Sequence, residues 1–173
     1  MLAVSGQLTS RLHGPSVFPP LPAEVLATAS RPDGVWGKSS PEDFCRRSIY
    51  VFVKRSLRTP LLAGLDQPDP DLPCPERFPT NVPTQALMTL NSDFTQKSAA
   101  HFARRLVDVT DGLDECIARA VWLALGRPPK DGEVVGQRKF LDRLTSEHSL
   151  ETDRSLEVFC LALLNLNEFM WVD

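Results

Sequence analysis

Residues 111–129 read DGLDECIARAVWLALGRPP, and their pattern decides the fold class. Leu113, Ile117, Val121 and Ala124 recur at helical spacing, which sets them on one face of a helix. Asp111 stands where an N-cap belongs, because its carboxylate can accept an otherwise orphaned backbone N–H. Gly126 followed by Pro128-Pro129 closes the element: glycine takes the left-handed C-terminal position and proline cannot continue the helix.

Working outward, the flanking sequence repeats this pattern. A helix is predicted over about 131–146, with Val134, Leu141 and Leu144 facing inward. A last one covers about 152–170, with Leu156, Phe159, Leu163, Leu166 and Met170 on one broad face. On the other side, Ser92 or Asp93 caps a helix whose apolar positions are Phe94, Ala99, Phe102, Ala103 and Leu106. The helical signals strengthen from Asn81, and Pro83 opens a helix to about Leu90 whose apolar side is Ala86, Leu87 and Leu90. Short connections make neighbouring helices antiparallel, so the second half reads as a small irregular bundle and the chain as mainly α.

The first half is written differently. Of 15 prolines, 13 lie at or before Pro83. Proline fixes φ and lacks a backbone donor, so residues 1–82 read as an irregular, loop-rich half, with 83–173 as the helical half of one domain. The end of a helix is read within 1–12, a short helix over Pro22–Ala27, a loop over 30–43 and one or two helical turns over Pro60–Leu65. Arg47–Lys54 is rich in β-prone residues and is read as one short, well-covered strand. Asp66–Pro79 holds five prolines and three aspartates, and no regular structure is expected there.

Composition sets further bounds. At 173 residues, 42% hydrophobic and 24% charged, the chain can build a real core. A net charge of −3 argues against a general nucleic-acid binder. The N-terminus lacks a basic signal-peptide start, which as written implies a cytoplasmic chain, and no run approaches the ~18–20 apolar residues a bilayer span needs. Cys45, Cys74, Cys116 and Cys160 form no CxxC pair and no CxxCH haem motif. Cys116 and Cys160 fall in helical patterns and read as buried thiols; spacing alone cannot establish a Cys45–Cys74 disulfide.

The candidate sites are polar and scattered. Arg46, Arg47, Lys54, Arg55 and Arg58 form a basic cluster free of acids, which suits sulfate, phosphate or an acidic glycan. The blander reading pairs it with Asp66, Asp69 and Asp71 or leaves it simply solvated. Gln85 and Asn91 flank a helix that either binds a ligand or satisfies the irregular backbone around it. Asn167 and Glu168 end an apolar helix, where capping or docking against the loops is the simpler role. Asp108, Asp111, Asp114 and Glu115 lack EF-hand spacing, and His13, His101 and His148 form no zinc pair, so no metal and no cofactor is expected in this chain. No nucleophile elbow, P-loop or dinucleotide loop is present.

Seven phrases in order carry a resemblance. They are Pro15-Ser16-Val17-Phe18-Pro19-Pro20, Trp36-Gly37-Lys38-Ser39, Arg46-Arg47-Ser48-Ile49-Tyr50-Val51 and Arg77-Phe78-Pro79-Thr80. Next come Pro83-Thr84-Gln85-Ala86-Leu87 with Leu90-Asn91, Leu125-Gly126-Arg127-Pro128-Pro129, and Leu164-Asn165-Leu166-Asn167-Glu168-Phe169. Together, from Met1 to Asp173, the chain resembles the C-terminal portion of a planctomycete-specific domain of unknown function, found in proteins with a separate cytochrome-c-like domain. The resemblance implies a secreted or envelope-associated parent and no assigned activity. It also implies partners in upstream domains or another protein chain. The isolated fragment is expected to expose an apolar patch where an absent N-terminal part would dock. The family often caps the fourth helix with Ser or Thr; here Lys130 stands in that place and Asp131 is the expected substitute. Three readings are open: a non-catalytic structural or interaction domain, part of a hydrolase or redox enzyme completed by other segments, or an anion-binding module.

Overall fold

Eight α-helices form among the described residues, which in this computed structural model are 1–29, 34–76, 80 and 82–171. About 51% of them are helical and none lies in a β-strand, so the chain is mainly α. The helices are α1 (Ala23–Ala27), α2 (Pro60–Gly64), α3 (Pro83–Asn91), α4 (Asp93–Val107), α5 (Leu113–Leu125), α6 (Glu133–Ser146), α7 (Thr152–Leu163) and α8 (Asn167–Met170). The Arg77-Phe78-Pro79 part of one quoted phrase, and Asn81, lie outside the described residues. The contacts divide the chain into a helical unit, Met1–Gln7 with Thr89–Asp173, and a loop-rich unit, Leu8–Met88.

In the helical unit the predicted stripes meet. Ala99, Phe102, Ala103 and Leu106 of α4 pack with Leu156, Phe159, Cys160 and Leu163 of α7, the most extensive helix pair. Cys116, Ile117 and Ala120 of α5 and Leu141 of α6 complete this core. Each large apolar side chain fully buried here contributes roughly 1.5–3 kcal/mol, so the stripe rather than intrinsic propensity holds these helices. Gly126 closes α5 in the left-handed conformation, at φ 68°. Met1–Gln7 belongs to the same unit. Gln7 N–H donates to Leu2 C=O and Gly6 N–H to Ala3 C=O, with Gly6 at φ 77°, the bonding of a Schellman closure. Arg105 Nη1 donates to the Ala3 and Val4 carbonyls and fastens that turn to α4.

Several local expectations are corrected. Arg47–Lys54 is no strand: a 3-10 turn occupies Ser48–Tyr50, and Val51 makes a single parallel bridge with Val17. It is only partly covered: Tyr50 and Val51 are half-buried, whereas Ile49 is 79% exposed and Val53 is also exposed. On α3 the buried positions are Gln85 and Thr89, whereas Leu87 and Leu90 face outward. Phe94, too, is largely outside the core. The N-cap of α5 is Gly112, with no side-chain bond from Asp111. Gly132 precedes α6 in place of Asp131, and the Glu133 carboxylate accepts the Lys130 N–H at 2.8 Å. The last helix breaks in two. Asn165 Nδ2 donates back to the Leu161 carbonyl, and Leu166 turns extended at ψ 143°, ending α7 and starting α8.

The loop-rich unit buries few large apolar side chains, Val17 and Leu57, and stacks the aromatic trio Phe18, Trp36 and Phe52. So little buried apolar surface cannot by itself offset the ordering of irregular backbone, and polar ties must contribute.

Candidate functional site

Arg46 is the most unusual of the sequence-derived candidates. Its residue surface is 3% exposed, although nothing in its sequence context marks it as different from Arg47. A buried cation normally needs a carboxylate. Arg46 instead donates from Nη1 to the Pro15 carbonyl at 3.0 Å and from Nη2 to the His13 carbonyl, and it lies 3.9 Å over the Tyr50 ring. His13 N–H in turn donates to the Tyr50 hydroxyl at 3.1 Å. Arg46 Nε is buried with no partner among the described residues. The guanidinium therefore ties residues 13–15 to the 3-10 turn at 48–50 and is buried rather than presented at the surface.

The rest of the basic cluster disperses. Arg55 pairs with Asp71, and Arg58 lies 3.5 Å from Asp69 and donates to the Gln67 carbonyl at 2.9 Å. Lys54 Nζ donates to the Val35 carbonyl at 2.7 Å, and Arg47 is exposed. Asp66, the third expected acid, serves another knot. Its carboxylate accepts from Thr80 N–H at 2.8 Å and from Gln85 Nε2 at 3.1 Å. Gln85 Nε2 also donates to Thr80 Oγ1 at 2.8 Å, while its Oε1 accepts the Val82 N–H at 3.3 Å. Gln85 thus clasps the proline-rich connection to the start of α3. Asn91 is the last residue of α3 and is exposed.

In the helical unit, Asn167 opens α8 and is exposed. Glu168 sits in a cluster that sequence reading missed. Arg127 donates from Nε to Glu168 Oε1 at 2.5 Å and from Nη2 to Glu168 Oε2 at 3.0 Å. The same guanidinium reaches Glu133, with Nη1 to Oε2 at 2.9 Å and Nη2 to Oε1 at 3.2 Å, and donates to the Pro128 carbonyl at 3.1 Å. Hydrogen bonding to Glu168, then to Glu133, raises the Arg127 pKa. The fork to Arg127 lowers the pKa of both carboxyls against the opposing effect of burial. The one available signal was the placing of Arg127 between a helix-ending glycine and a proline pair, where a fixed corner aims a long cation.

Within each unit the structurally engaged candidates have their own local partners: Arg46, Arg55 and Gln85 in the loop-rich unit, Glu168 in the helical unit. A shallow cavity of about 180 Å³ lies in the helical unit, lined by Gln137, Phe140, Phe159, Ala162, Leu163 and Leu166. It is apolar and contains no candidate residue. Among the described residues, no three His, Cys, Asp or Glu side chains are placed to hold a metal ion. Cys45, Cys74, Cys116 and Cys160 are free thiols. No helix among the described residues is long and apolar enough to cross a membrane.

A family model described as PSD1, a protein of unknown function (DUF1553), matches residues 1–141. The match spans the loop-rich unit and reaches into α6, stopping before the Leu164–Phe169 phrase. No curated protein matches. No solved structure matches.

Proposed function

This chain belongs to the PSD1 family of proteins of unknown function, and from that premise we propose that it is a non-catalytic structural or interaction domain. One observation carries the reading: the polar side chains best suited to chemistry are engaged in holding backbone or one another. Arg46 holds two carbonyls, Gln85 clasps Asp66 and Thr80, and Glu168 is forked to Arg127. A shared active site using Arg46 or Glu168 would first have to break those ties.

The finer reading rests on the resemblance drawn from the quoted phrases. The chain is the C-terminal portion of a longer, planctomycete-type protein that is secreted or held in the envelope. A cytochrome-c-like domain elsewhere in that parent carries the haem, and this chain needs no cofactor of its own. Its partners are upstream domains or another chain. Ile49 and Val53 are exposed within one five-residue segment, which supports a docking role for that loop.

Deleting residues 8–88 from the parent polypeptide tests this. The expected result is loss of solubility or partner binding by the neighbouring domains. Neighbours that fold and bind unaltered would overturn the reading.

A further inference from the structure

We infer that α8 is a strap fastened by Arg127, which opens and closes as a unit over the bundle beneath it.

The chain separates α8 from α7 on geometric grounds. Helical bonding runs out at Asn165 N–H to Ala162 C=O and Leu166 N–H to Leu163 C=O, the tight bonds of a closing turn. Leu166 is extended, so no ladder continues across the break. Asn165 turns its amide back to Leu161, and its Oδ1 is buried without a partner among the described residues. Beyond the break, α8 is a single turn, closed by Phe169 and Met170 N–H to Leu166 C=O and Trp171 N–H to Asn167 C=O. One turn fixes several dihedrals for few bonds and does not persist alone in water. Tertiary attachments must hold it.

Two attachments do so. Phe169 packs, partly buried, against the core, and α8 lies on α5. Glu168 takes both oxygens to Arg127. Arg127 is held independently of Glu168: the Gly126 turn and the Pro128-Pro129 pair set its backbone, and Glu133 holds the other side of its fork. Glu133 also accepts the Lys130 N–H and is the less exposed acid, with a side chain 19% exposed against 46% for Glu168. Glu168 is therefore the arm that releases, and Arg127 with Glu133 is the fixed catch. Opening also carries away Leu166, which walls the shallow cavity between α6 and α7.

Hydrogen exchange on the whole chain, followed by mass spectrometry, tests the strap. Amides of residues 167–171 should exchange at least about tenfold faster than those of 156–164, because a local opening requires less free energy than a global one. Glu168→Gln should accelerate 167–171 by roughly two- to fivefold, the scale of a half-exposed ion pair, and leave 156–164 unchanged. Phe169→Ala, which removes the second attachment, should accelerate the same amides. Equal exchange of the two segments in the unaltered chain would overturn the strap, as would acceleration of both together by Glu168→Gln. If Phe169→Ala opens α8 and Glu168→Gln does not, Arg127 is not its fastener.

Discussion

Arg46 is a charged residue performing a core residue's task. Buried carbonyls need donors, and a guanidinium can serve two strands of loop at once while its flat face lies on an aromatic ring. Lysine carries the same charge but neither the fork nor the face. We expect Arg46→Lys to destabilise the loop-rich unit by about 2 kcal/mol and Arg46→Met by about as much or more, since both leave a carbonyl of His13 or Pro15 without its charged donor. Denaturant titration followed through Trp36 fluorescence, in a background where Trp122 and Trp171 are replaced by Phe, measures this. A Lys variant with an unchanged midpoint would show the fork to be unimportant. The basic composition of 46–58 was plain in the sequence; that one arginine of this cluster is buried was not, because burial depends on where residues 13–15 return.

At the scale of elements, α3 shows how amphipathic reading goes astray. Three apolar residues outvoted one glutamine in the pattern, yet Gln85 is buried and Leu87 is 58% exposed. The face of a helix that turns inward is chosen by the best total set of contacts, and Gln85 satisfies Asp66, Thr80 and Val82 together. Gln85→Leu should therefore cost about 1–3 kcal/mol despite its added apolar surface. Leu87→Gln should change stability by less than about 0.5 kcal/mol. Thermal melts of the two variants distinguish this from the sequence-derived face, which gives the opposite order. The corner between α5 and α6 supplies a pH signature. Glu133 and Glu168 both titrate below the usual glutamate value of 4.5, held there chiefly by the Arg127 fork. Their contribution is present above that value and is lost as pH falls through the depressed folded values. The melting temperature of the unaltered chain should accordingly drop more steeply on acidification than that of Glu133→Gln, with the two curves converging at low pH. Parallel curves would remove the fork from the account.

At the scale of the molecule, the thiols report on packing. Burial pushes the pKa of Cys116 and Cys160 up, and thiolate is the reactive form. A thiol reagent should modify exposed Cys74 in the native chain and reach Cys116 and Cys160 only as the helical unit unfolds. Prompt labelling of either core cysteine would contradict the packing of α5 and α7. Those two thiols were legible in advance as core positions, as were α4 to α7, their order and most of their buried faces. Local physics suffices there: apolar spacing, a left-handed glycine and a proline pair act within a few residues and need no knowledge of the rest of the chain. The break between α7 and α8 follows a local bond from Asn165 back to the Leu161 carbonyl, but the strand that became a 3-10 turn, the glutamine face of α3 and the Arg127 catch were decided by tertiary structure alone. In each, a polar group chooses among competing partners, many of them far away in sequence, and that choice is made only once folding has brought the partners within hydrogen-bond reach.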